Sequence, residues 1–256
     1  MKITVITPVY NGQETIRSCI ESVSDQSFPF KEHLIVDGVS TDKTIDILKE
    51  YPLKWISEKD RGIYDAINKG INMSTGEIIC FLGSDDMYSH PDIFQKIADT
   101  FDRNPETDIV YGDMIFVDRN DSSKITRYWK SSPFRPGLFK KGWLPQSHTL
   151  FIRRHVFEKY GLFNLQFEIA DYELQYRFFE KLNLKTLYVP GVTVTMRSGG
   201  VSNSSLQNIY NNMKGIYDIL KFYKVKHPLS YIINTLLYRL RQVFIPSEIK
   251  KMYKSK

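Results

Sequence analysis

Strand-like and helix-like segments alternate through the first hundred residues, and this alternation restricts the fold more than any other feature. Short apolar runs at 3–7, 33–36, 53–57 and 78–82 predict four strands. Between them, apolar residues recur at helical spacing, as at Ile16, Cys19, Ile20 and Val23. A repeated strand–helix unit predicts an α/β fold, with a parallel sheet covered by helices on both faces.

Polar residues follow each of the four predicted strands. Because ligands bind at the carboxyl ends of strands in such sheets, the four turns together predict one ligand site. The turns are Pro8-Val9-Tyr10-Asn11-Gly12, Asp37-Gly38, Glu58-Lys59-Asp60-Arg61-Gly62 and Ser84-Asp85-Asp86.

The adjacent carboxylates Asp85 and Asp86 indicate a specific chemistry. Two like charges at this spacing disfavour joint ionisation, and a divalent cation would relieve the repulsion. Mg²⁺ and Mn²⁺ suit such oxygen ligands and also take substrate phosphates. The alternative is a solvated turn in which an Asp caps the helix predicted after Pro91. The four polar strand ends, taken together, favour the ligand site.

The pattern changes after Pro105 to shorter segments at 109–111, 115–118 and 125–129, with a further short strand predicted at 149–152. Between them, residues 131–146 form a long segment without a clear period that carries Phe134, Phe139 and Trp143, and we interpret it as an element that covers the substrate. Trp143 has two interpretations, stacking on a sugar face or packing in the core. Further on, helices are predicted at 155–160 and, opened by Asp171, at 172–181.

Six segments occur in a characteristic order along the chain. They are ITPVYNG at 6–12, VDGVSTDKT at 36–44, DRGIYDAINKG at 60–70, GEIICFLGSDD at 76–86, QSH at 146–148 and ADYEL at 170–174. Together they resemble glycosyltransferase family 2, the inverting nucleotide-sugar enzymes of bacterial surface-polysaccharide assembly, over residues 1–202 of 256. The resemblance implies the GT-A fold, in which helices flank a mostly parallel, nucleotide-binding central sheet. It also implies a division into a nucleotide-binding half (1–104), an acceptor-side half (105–202) and a basic helical tail (203–256).

On the donor side, the resemblance assigns roles to the strand-end residues. Ser84-Asp85-Asp86 is similar to the family's metal-binding motif, with Ser84 in place of its first Asp. Asp86 is then the expected ligand of Mn²⁺ or Mg²⁺, and Asp85 the expected contact to ribose or sugar. Asp37 resembles the residue that bonds the base edge, and Asp60 with Arg61 resembles a motif near the diphosphate. The expected nucleotide-binding first turn is Pro8, Val9, Tyr10 and Asn11.

On the acceptor side, Asp171 resembles the family's general base, the second member of an acidic pair whose first member is here Ala170. The alternative for Asp171 is a helix N-cap, which is itself compatible with catalysis. His148 is either a metal or diphosphate contact or a hydrogen-bonded structural residue. Arg197 begins a Gly-containing segment that is either a loop closing over phosphates or an ordinary turn.

The implied function is inverting, metal-dependent transfer of a hexose from a nucleotide sugar, expected to be UDP-linked. The implied acceptor is a saccharide or a lipid-diphosphate-linked sugar. Two alternatives remain at this point. One is a non-catalytic nucleotide-sugar or glycan-binding protein of the same fold, suggested by Ala170 and Ser84. The other is a sugar nucleotidyltransferase, whose Gly-rich, basic first loop is absent because residues 8–12 contain one Gly.

Charge is concentrated at the end of the chain. The net charge is +6, but residues 214–256 hold ten Lys and Arg against Asp218 and Glu248. The remainder is slightly acidic, which argues against a nucleic-acid partner. Apolar residues at helical spacing in this tail predict an amphipathic helix that either lies on an anionic membrane or packs on the domain. The predicted stripe is Ile232, Ile233, Leu236, Leu237, Leu240, Val243 and Phe244.

Cysteine usage and the start of the sequence favour the cytoplasm. Cys19 and Cys80 fall in a predicted helix and a predicted buried strand, which does not suggest a disulfide framework. Met1-Lys2 leads directly into the first strand without a signal-peptide pattern. We therefore expect a cytoplasmic protein, peripheral on the inner face of the membrane if the tail binds lipid.

Overall fold

A computed structural model describes residues 1–199, 206–241 and 249, which form a mixed α/β fold. Nine strands build one sheet in the order β3-β2-β1-β4-β8-β6-β9-β5, with β7 paired to β6. The strands are β1 (Ile3–Val9), β2 (Lys31–Asp37), β3 (Lys54–Ser57), β4 (Ile78–Phe81), β5 (Met87–Tyr88), β6 (Ile109–Val117), β7 (Ile125–Trp129), β8 (Leu150–Arg153) and β9 (Thr186–Arg197). The helices are α1 (Ile16–Ser24), α2 (Thr44–Leu48), α3 (Ile63–Met73), α4 (Ile93–Arg103), α5 (Arg154–Tyr160), α6 (Ala170–Gln175), α7 (Leu206–Phe222) and α8 (Pro228–Arg241).

The first four strands form the predicted parallel sheet. β1 pairs with β2 and with β4, and β2 pairs with β3, all in parallel. The register places Val9 beside Asp37 and Asp37 beside Ser57, so these strands end at one edge. Helices cover both faces, because α1 and α3 pack into two different clusters of buried residues. The predicted helical positions of α1 are all buried, which confirms its amphipathic pattern.

The second half of the sheet is mixed rather than parallel. β8 is antiparallel to both β4 and β6, while β6 and β9 run parallel. The prediction of two short strands at 109–111 and 115–118 was wrong, because Ile109–Val117 is one continuous, fully buried strand. The strand predicted at 149–152 is β8, which begins one residue later. The helix predicted at 172–181 begins at Ala170 and continues as a π-helix over Tyr176–Lys181.

The aromatic segment 131–146 packs into the core. Phe139 and Trp143 are 1% and 3% exposed, and the Trp143 ring lies 5.6–6.0 Å from those of Phe134, Phe139 and Phe179. The interpretation of these rings as a substrate cover was therefore wrong. Aromatic rings attract one another when packed edge to face, and packing in the core buries more of their apolar area than an open loop would. Trp143 is a core residue and does not present a face to a sugar.

The tail helices pack on the acceptor half through one side of α8. Tyr231, Ile232 and Tyr238 contact the main cluster of buried residues, and Asn234 Nδ2 donates to the Lys140 carbonyl at 2.8 Å. Gly142 lies so close that a Cβ there would be 2.2 Å from the Asn234 carbonyl oxygen. The packing interpretation is thus confirmed for this side of α8.

The opposite side of α8 is apolar and exposed. Its five large side chains are Leu229, Ile233, Leu236, Leu237 and Leu240, with exposed fractions of 39–65%. We call them the outward face of α8. The predicted stripe therefore divides between two sides of the helix, and its members Val243 and Phe244 lie outside the described residues. Within the described part of the chain, every helix is too short or too polar to cross a bilayer.

Candidate functional site

The turns that follow β1 and β2 are joined by hydrogen bonds. Asn11 Oδ1 accepts the Thr41 N–H at 2.9 Å, and the Asn11 N–H donates to Ser40 Oγ at 2.8 Å. Farther along, the Gln13 N–H donates to Asp42 Oδ2 at 3.0 Å. Asn11 itself has φ of 51°, a left-handed conformation that Asn adopts more readily than most residues. Side chains thus satisfy the backbone of both turns without a ligand.

The predicted nucleotide-binding residues lie at this edge with different exposures. Pro8 and Val9 are buried at the end of β1, whereas Tyr10 is 64% exposed. Asp37 has no exposed surface, and its carboxylate accepts bonds from Ser40 and from Ser57 Oγ, the latter at 2.6 Å. The Asp37 side chain is enclosed and already has donors, and its direct bond to a base edge stays a prediction. Asp37 instead holds the turn that carries Ser40.

Asp60 and Arg61 occupy the turn between β3 and α3. Asp60 Oδ1 accepts the Gly62 N–H at 2.8 Å, and a Cβ on Gly38 would lie 2.8 Å from Asp60 Oδ2. Glycine at 38 therefore allows Asp60 to reach the second turn. The Arg61 side chain is 78% exposed and pairs with Asp65 at 3.2 Å. Asp60 faces inward and Arg61 lies at the rim.

The Ser84-Asp85-Asp86 segment forms the tight turn between β4 and β5. The Asp86 N–H donates to the Gly83 carbonyl at 3.0 Å. A Cβ on Gly83 would lie 2.8 Å from Asp86 Oδ2 and 3.1 Å from Asp85 Oδ1, so glycine makes room for both carboxylates. The residue that precedes α4 is Asp92. The alternative in which Asp85 or Asp86 caps that helix was therefore wrong.

Asp86 is the most unfavourably placed carboxylate of this region. It is 0% exposed, and neither oxygen has a hydrogen-bond partner among the described residues. Burial raises the pKa of Asp86 well above its usual range, and the neighbouring Asp85 raises it further. An enclosed carboxylate without donors is costly unless a cation or proton accompanies it.

Arg197 is the last residue of β9, and its side chain binds the backbone of the Ser84–Asp86 turn. Its Nη1 donates to the Asp85 carbonyl at 2.8 Å, and its Nη2 donates to Ser18 Oγ at 3.1 Å. The charge of Arg197 also acts to lower the pKa of Asp86. The guanidinium is thus bonded to protein groups, and Arg197 itself belongs to a strand. Gly200, the last residue of the segment predicted to close over phosphates, lies outside the described residues.

His148 lies in a 3₁₀ turn before β8, opposite Asp86. Its Nδ1 is 3.9 Å from Asp86 Oδ2 and has no hydrogen-bond partner among the described residues. Burial lowers the pKa of His148, while the charges of Asp171 and Asp85 raise it. The ring therefore lies within the field of acidic groups from both halves of the molecule.

Asp171 is the second residue of α6, since Ile169 occupies the N-cap position. The N-cap alternative was therefore wrong by two positions. Its Oδ1 accepts the Tyr64 hydroxyl at 2.7 Å, and the Tyr64 ring stacks on Phe163 at 5.4 Å. Burial and the Asp171 charge raise the pKa of Tyr64 well above its usual range, so this hydroxyl remains a donor. One carboxylate oxygen is thereby oriented, and no described residue donates to Oδ2.

A cleft of about 340 Å³ lies beside the Tyr64–Asp171 pair. Arg61 and Tyr64 line one wall, and residues 165–168 line the other. Asp86 and His148 lie 3.9 Å apart, and the charge of Asp171 acts on His148, while Arg61 and Tyr64 line the cleft. Sequence reasoning missed Tyr64 and Gly83, although both lie inside segments that the resemblance uses. The available signal was their position in these segments: Tyr64 follows Asp60 by four residues, and Gly83 precedes Asp86 by three.

Comparison with known proteins places this arrangement among sugar-transferring enzymes. The family model described as Glycosyl transferase family 2 matches residues 4–179. A relative named PGL/p-HBAD biosynthesis glycosyltransferase, from Mycobacterium bovis, is 31% identical over 209 residues, which cover 78% of this chain and 79% of that protein. Glycosyltransferase AglE from Haloferax volcanii is 29% identical over 171 residues, which cover 63% of this chain and 55% of that protein.

Solved structures share the architecture at low sequence identity. S. aureus TarS 1-349 superposes with a TM-score of 0.68 at 18% identity and covers 92% of this chain and 71% of its own. The mannosyltransferase PcManGT from Pyrobaculum calidifontis, in complex with GDP-Man and Mn²⁺, gives 0.65 at 18% identity and covers 93% and 69%. These similarities confirm the predicted fold class.

Proposed function

The chain belongs to glycosyltransferase family 2, and from that premise we propose that it moves a hexose from a UDP-sugar to a hydroxyl of a glycan or lipid-linked sugar. The proposal includes inversion at the anomeric carbon, a divalent metal and a role in surface-polysaccharide assembly. The single observation that carries it is the convergence of two unlike carboxylates on His148. Asp86 is enclosed and has no hydrogen-bond donor among the described residues, while Asp171 is oriented by Tyr64.

The residues at the Asp86 corner fit Mn²⁺ or Mg²⁺. His148 Nδ1 and Asp86 Oδ2 lie 3.9 Å apart, and neither atom has a hydrogen-bond partner among the described residues. A carboxylate oxygen and an imidazole nitrogen left in this state suit a shared divalent cation. Within the described residues, no three His, Cys, Asp or Glu side chains come together as a ligand set. Asp86 and His148 would then hold the ion together with substrate phosphates and water.

The metal, when bound, would stabilise the negative charge that develops on the departing diphosphate. Asp85 would contact the ribose or the sugar. Pro8, Val9, Tyr10, Asn11 and Ser84 line the edge where the nucleotide would lie, and Asp37 would support that edge from beneath. Asp60 and Arg61 would lie near the diphosphate, with the exposed guanidinium of Arg61 available for phosphate oxygens. UDP is favoured because S. aureus TarS 1-349 has been solved with UDP and with UDP-GlcNAc.

Asp171 would act as the general base. An acceptor hydroxyl is a poor nucleophile until a carboxylate within hydrogen-bond reach takes its proton. Oδ2 is the atom for this step, because Oδ1 already accepts from Tyr64. As the hydroxyl oxygen bonds to the anomeric carbon, the bond to the phosphate oxygen breaks, and its electron pair leaves with the nucleoside diphosphate. One displacement of this kind inverts the configuration.

The test is acceptor-dependent release of nucleoside diphosphate, measured with Mn²⁺, a panel of nucleotide sugars and a lipid-diphosphate sugar acceptor. We expect Asp171→Asn to reduce turnover by about 10²–10⁴-fold. Asp46→Asn, on the distant helix α2, is the matched control and should retain full turnover. Tight nucleotide binding without turnover on any donor and acceptor pair would instead support the alternative of a non-catalytic binding protein.

The outward face of α8 would dock the protein on the inner surface of an anionic membrane. The five exposed apolar side chains provide the area, and the surplus of basic residues in 214–256 provides the charge. Truncation at residue 228 would also remove Tyr231, Ile232 and Tyr238 from the core, so point substitutions are the cleaner test. Ile233→Gln with Leu237→Gln should weaken binding to anionic vesicles, whereas Leu182→Gln on the main domain should not. Unchanged vesicle binding by the double variant would contradict this docking.

A further inference from the structure

The inward side of α8 carries a cation that the proposed mechanism does not use. Arg239 is half-buried, its Nε is enclosed, and that atom has no hydrogen-bond partner within residues 1–199 and 206–241. No carboxylate of the described residues lies within ion-pair distance of its guanidinium. The backbone of α8 is held nearby, because the Tyr238 hydroxyl contacts the Lys130 carbonyl at 3.4 Å. Arg239 is therefore positioned by its helix and not by a protein anion.

Two further groups define the surroundings of Arg239. Burial lowers the pKa of Arg239, and the charge of Asp171 opposes this, which places the guanidinium in the field of the proposed base. The pKa of Arg127, on β7, is lowered to about 10. Burial is the main cause, and the charge of Arg239 lowers it further. The Arg127 guanidinium stacks 4.7 Å from the Trp129 ring centre. The charges of Arg127 and Asp171, from two other elements, thus both act on or with the Arg239 guanidinium.

A purely structural arginine would be expected to have a different environment. Half-buried guanidinium groups are normally compensated by a carboxylate or by several carbonyl oxygens. Arg177 shows this in the same protein, since it bonds Glu173 and the carbonyls of Gly161 and Leu162. Arg239 has no such partner among the described residues, and its charge also acts on a second arginine, Arg127. An anion at Arg239 would relieve the desolvation of its guanidinium and its repulsion from Arg127.

We propose that Arg239, with Arg127 beside it, binds a phosphate group of the acceptor on the Asp171 side of the cleft. This inference rests on the proposed function and narrows its acceptor to a phosphate-bearing one. A guanidinium presents paired N–H donors that match phosphate oxygens, and it stays charged when partly buried. The tail helix would then face the membrane with one side and the acceptor phosphate with the other.

The experiment measures anion binding to protein already saturated with UDP and Mn²⁺, so that the donor phosphate site is filled. The probes are farnesyl diphosphate, inorganic pyrophosphate and, as the neutral match, farnesol, each followed by calorimetry. We expect Arg239→Gln to weaken binding of both diphosphates at least tenfold and to leave farnesol unchanged. Arg135→Gln, an exposed arginine on the segment 131–146, is the matched control and should bind all probes normally.

The two diphosphates distinguish the source of the phosphate. Tighter binding of farnesyl diphosphate than of pyrophosphate would support a lipid-linked phosphate, and equal binding would support a phosphate without a lipid. Arg127→Gln is a second variant and should also weaken both. Wild-type protein that binds neither anion, or an Arg239→Gln variant that binds both normally, would overturn the inference. Two other measurements check the proposed function independently of the anion probes. They are the binding of UDP with Mn²⁺ before any probe is added and turnover with neutral sugar acceptors.

Discussion

Two buried carboxylates lie at opposite edges of the parallel sheet in opposite environments. Glu32, near the start of β2, accepts hydrogen bonds from Thr4 Oγ1 at 2.7 Å and from the Thr75 N–H at 2.8 Å. Lys54 Nζ also contacts it at 3.2 Å. Asp86, beyond the end of β4, has no donor among the described residues. The same chemical group is thus fully compensated at one edge and uncompensated at the other.

The pKa values of the two groups move in opposite directions for this reason. Burial raises the pKa of Glu32, but the bonds from Thr4, Thr75 and Lys54 outweigh it and hold that pKa at about 2. Burial and the neighbouring Asp85 raise the pKa of Asp86, and the opposing influences of Arg197 and of the Gly83 backbone do not outweigh them. A satisfied carboxylate stabilises the fold, whereas an unsatisfied one reduces stability until a ligand arrives. The comparison therefore separates a structural edge from a ligand-binding edge.

Asp86→Asn tests the ligand-binding edge and should have the largest effect. We expect transferase activity to fall by about 10²–10³-fold, because a neutral amide holds a divalent ion poorly. Stability without metal should stay equal or rise by about 1 kcal/mol, because a buried charge is removed. Turnover with Mn²⁺ and urea unfolding in EDTA measure the two quantities. A clear loss of metal-free stability would show that Asp86 has an unrecognised structural partner.

Glu32→Gln tests the structural edge. We expect the free energy of unfolding at pH 7 to fall by about 1–3 kcal/mol, because an amide cannot accept from all of the donors. The folded-state pKa of Glu32 lies below its unfolded value, so its contribution is complete above pH 4.5 and is lost as pH falls toward 2. The variant should therefore lose less stability than the wild type over this window. Urea unfolding from pH 7 to 3 checks this, and equal slopes for both proteins would contradict it.

Gly83→Ala asks whether the space beneath Asp86 is needed. The added Cβ would lie 2.8 Å from Asp86 Oδ2, so the carboxylate must move while the backbone stays. We expect about tenfold weaker Mn²⁺ activation, since ligand geometry is displaced by a fraction of an ångström. Titration of activity with Mn²⁺ measures it. An unchanged activation constant would mean that the carboxylates can rearrange freely.

Val39→Gly tests strain in the satisfied turn after β2 and should have the smallest effect. Val39 has φ of 65°, which a β-branched side chain adopts only under constraint. Glycine relieves this strain but loses more chain entropy on folding, so we expect a net gain of about 0.5–1 kcal/mol. Thermal unfolding would detect it. A loss of stability would show that the exposed valine side chain contributes packing.

The strand–helix alternation of the first half could be predicted because each element has its own period. Helix α1, for example, buries the four apolar positions that its spacing indicates. The mixed half was harder, because its strands are buried on both faces and carry no alternation. The burial of Phe139 and Trp143 depends on partners such as Tyr111 and Phe179 that lie far away in sequence.

The candidate site, too, was predictable in part: the sequence indicated some of its residues but not their contacts. Asp86 and Asp171 stood out from their local patterns, but their roles depended on contacts between distant residues. Tyr64 and Asp171 lie 107 positions apart, and His148 approaches Asp86 from a different strand. The enclosure of Asp37 by Ser40 and Ser57 could not be read from its motif either.

The sequence by itself determined the family, the fold class and the edge of the sheet at which ligands bind, because these follow from periodicity and from short motifs at strand ends. Only the tertiary structure decided which polar groups are satisfied. It showed Glu32 paired and Asp86 unpaired, and it divided the apolar stripe of α8 between a packed side and an exposed one. The physical reason is that compensation of a buried charge depends on donors that folding brings from elsewhere in the chain.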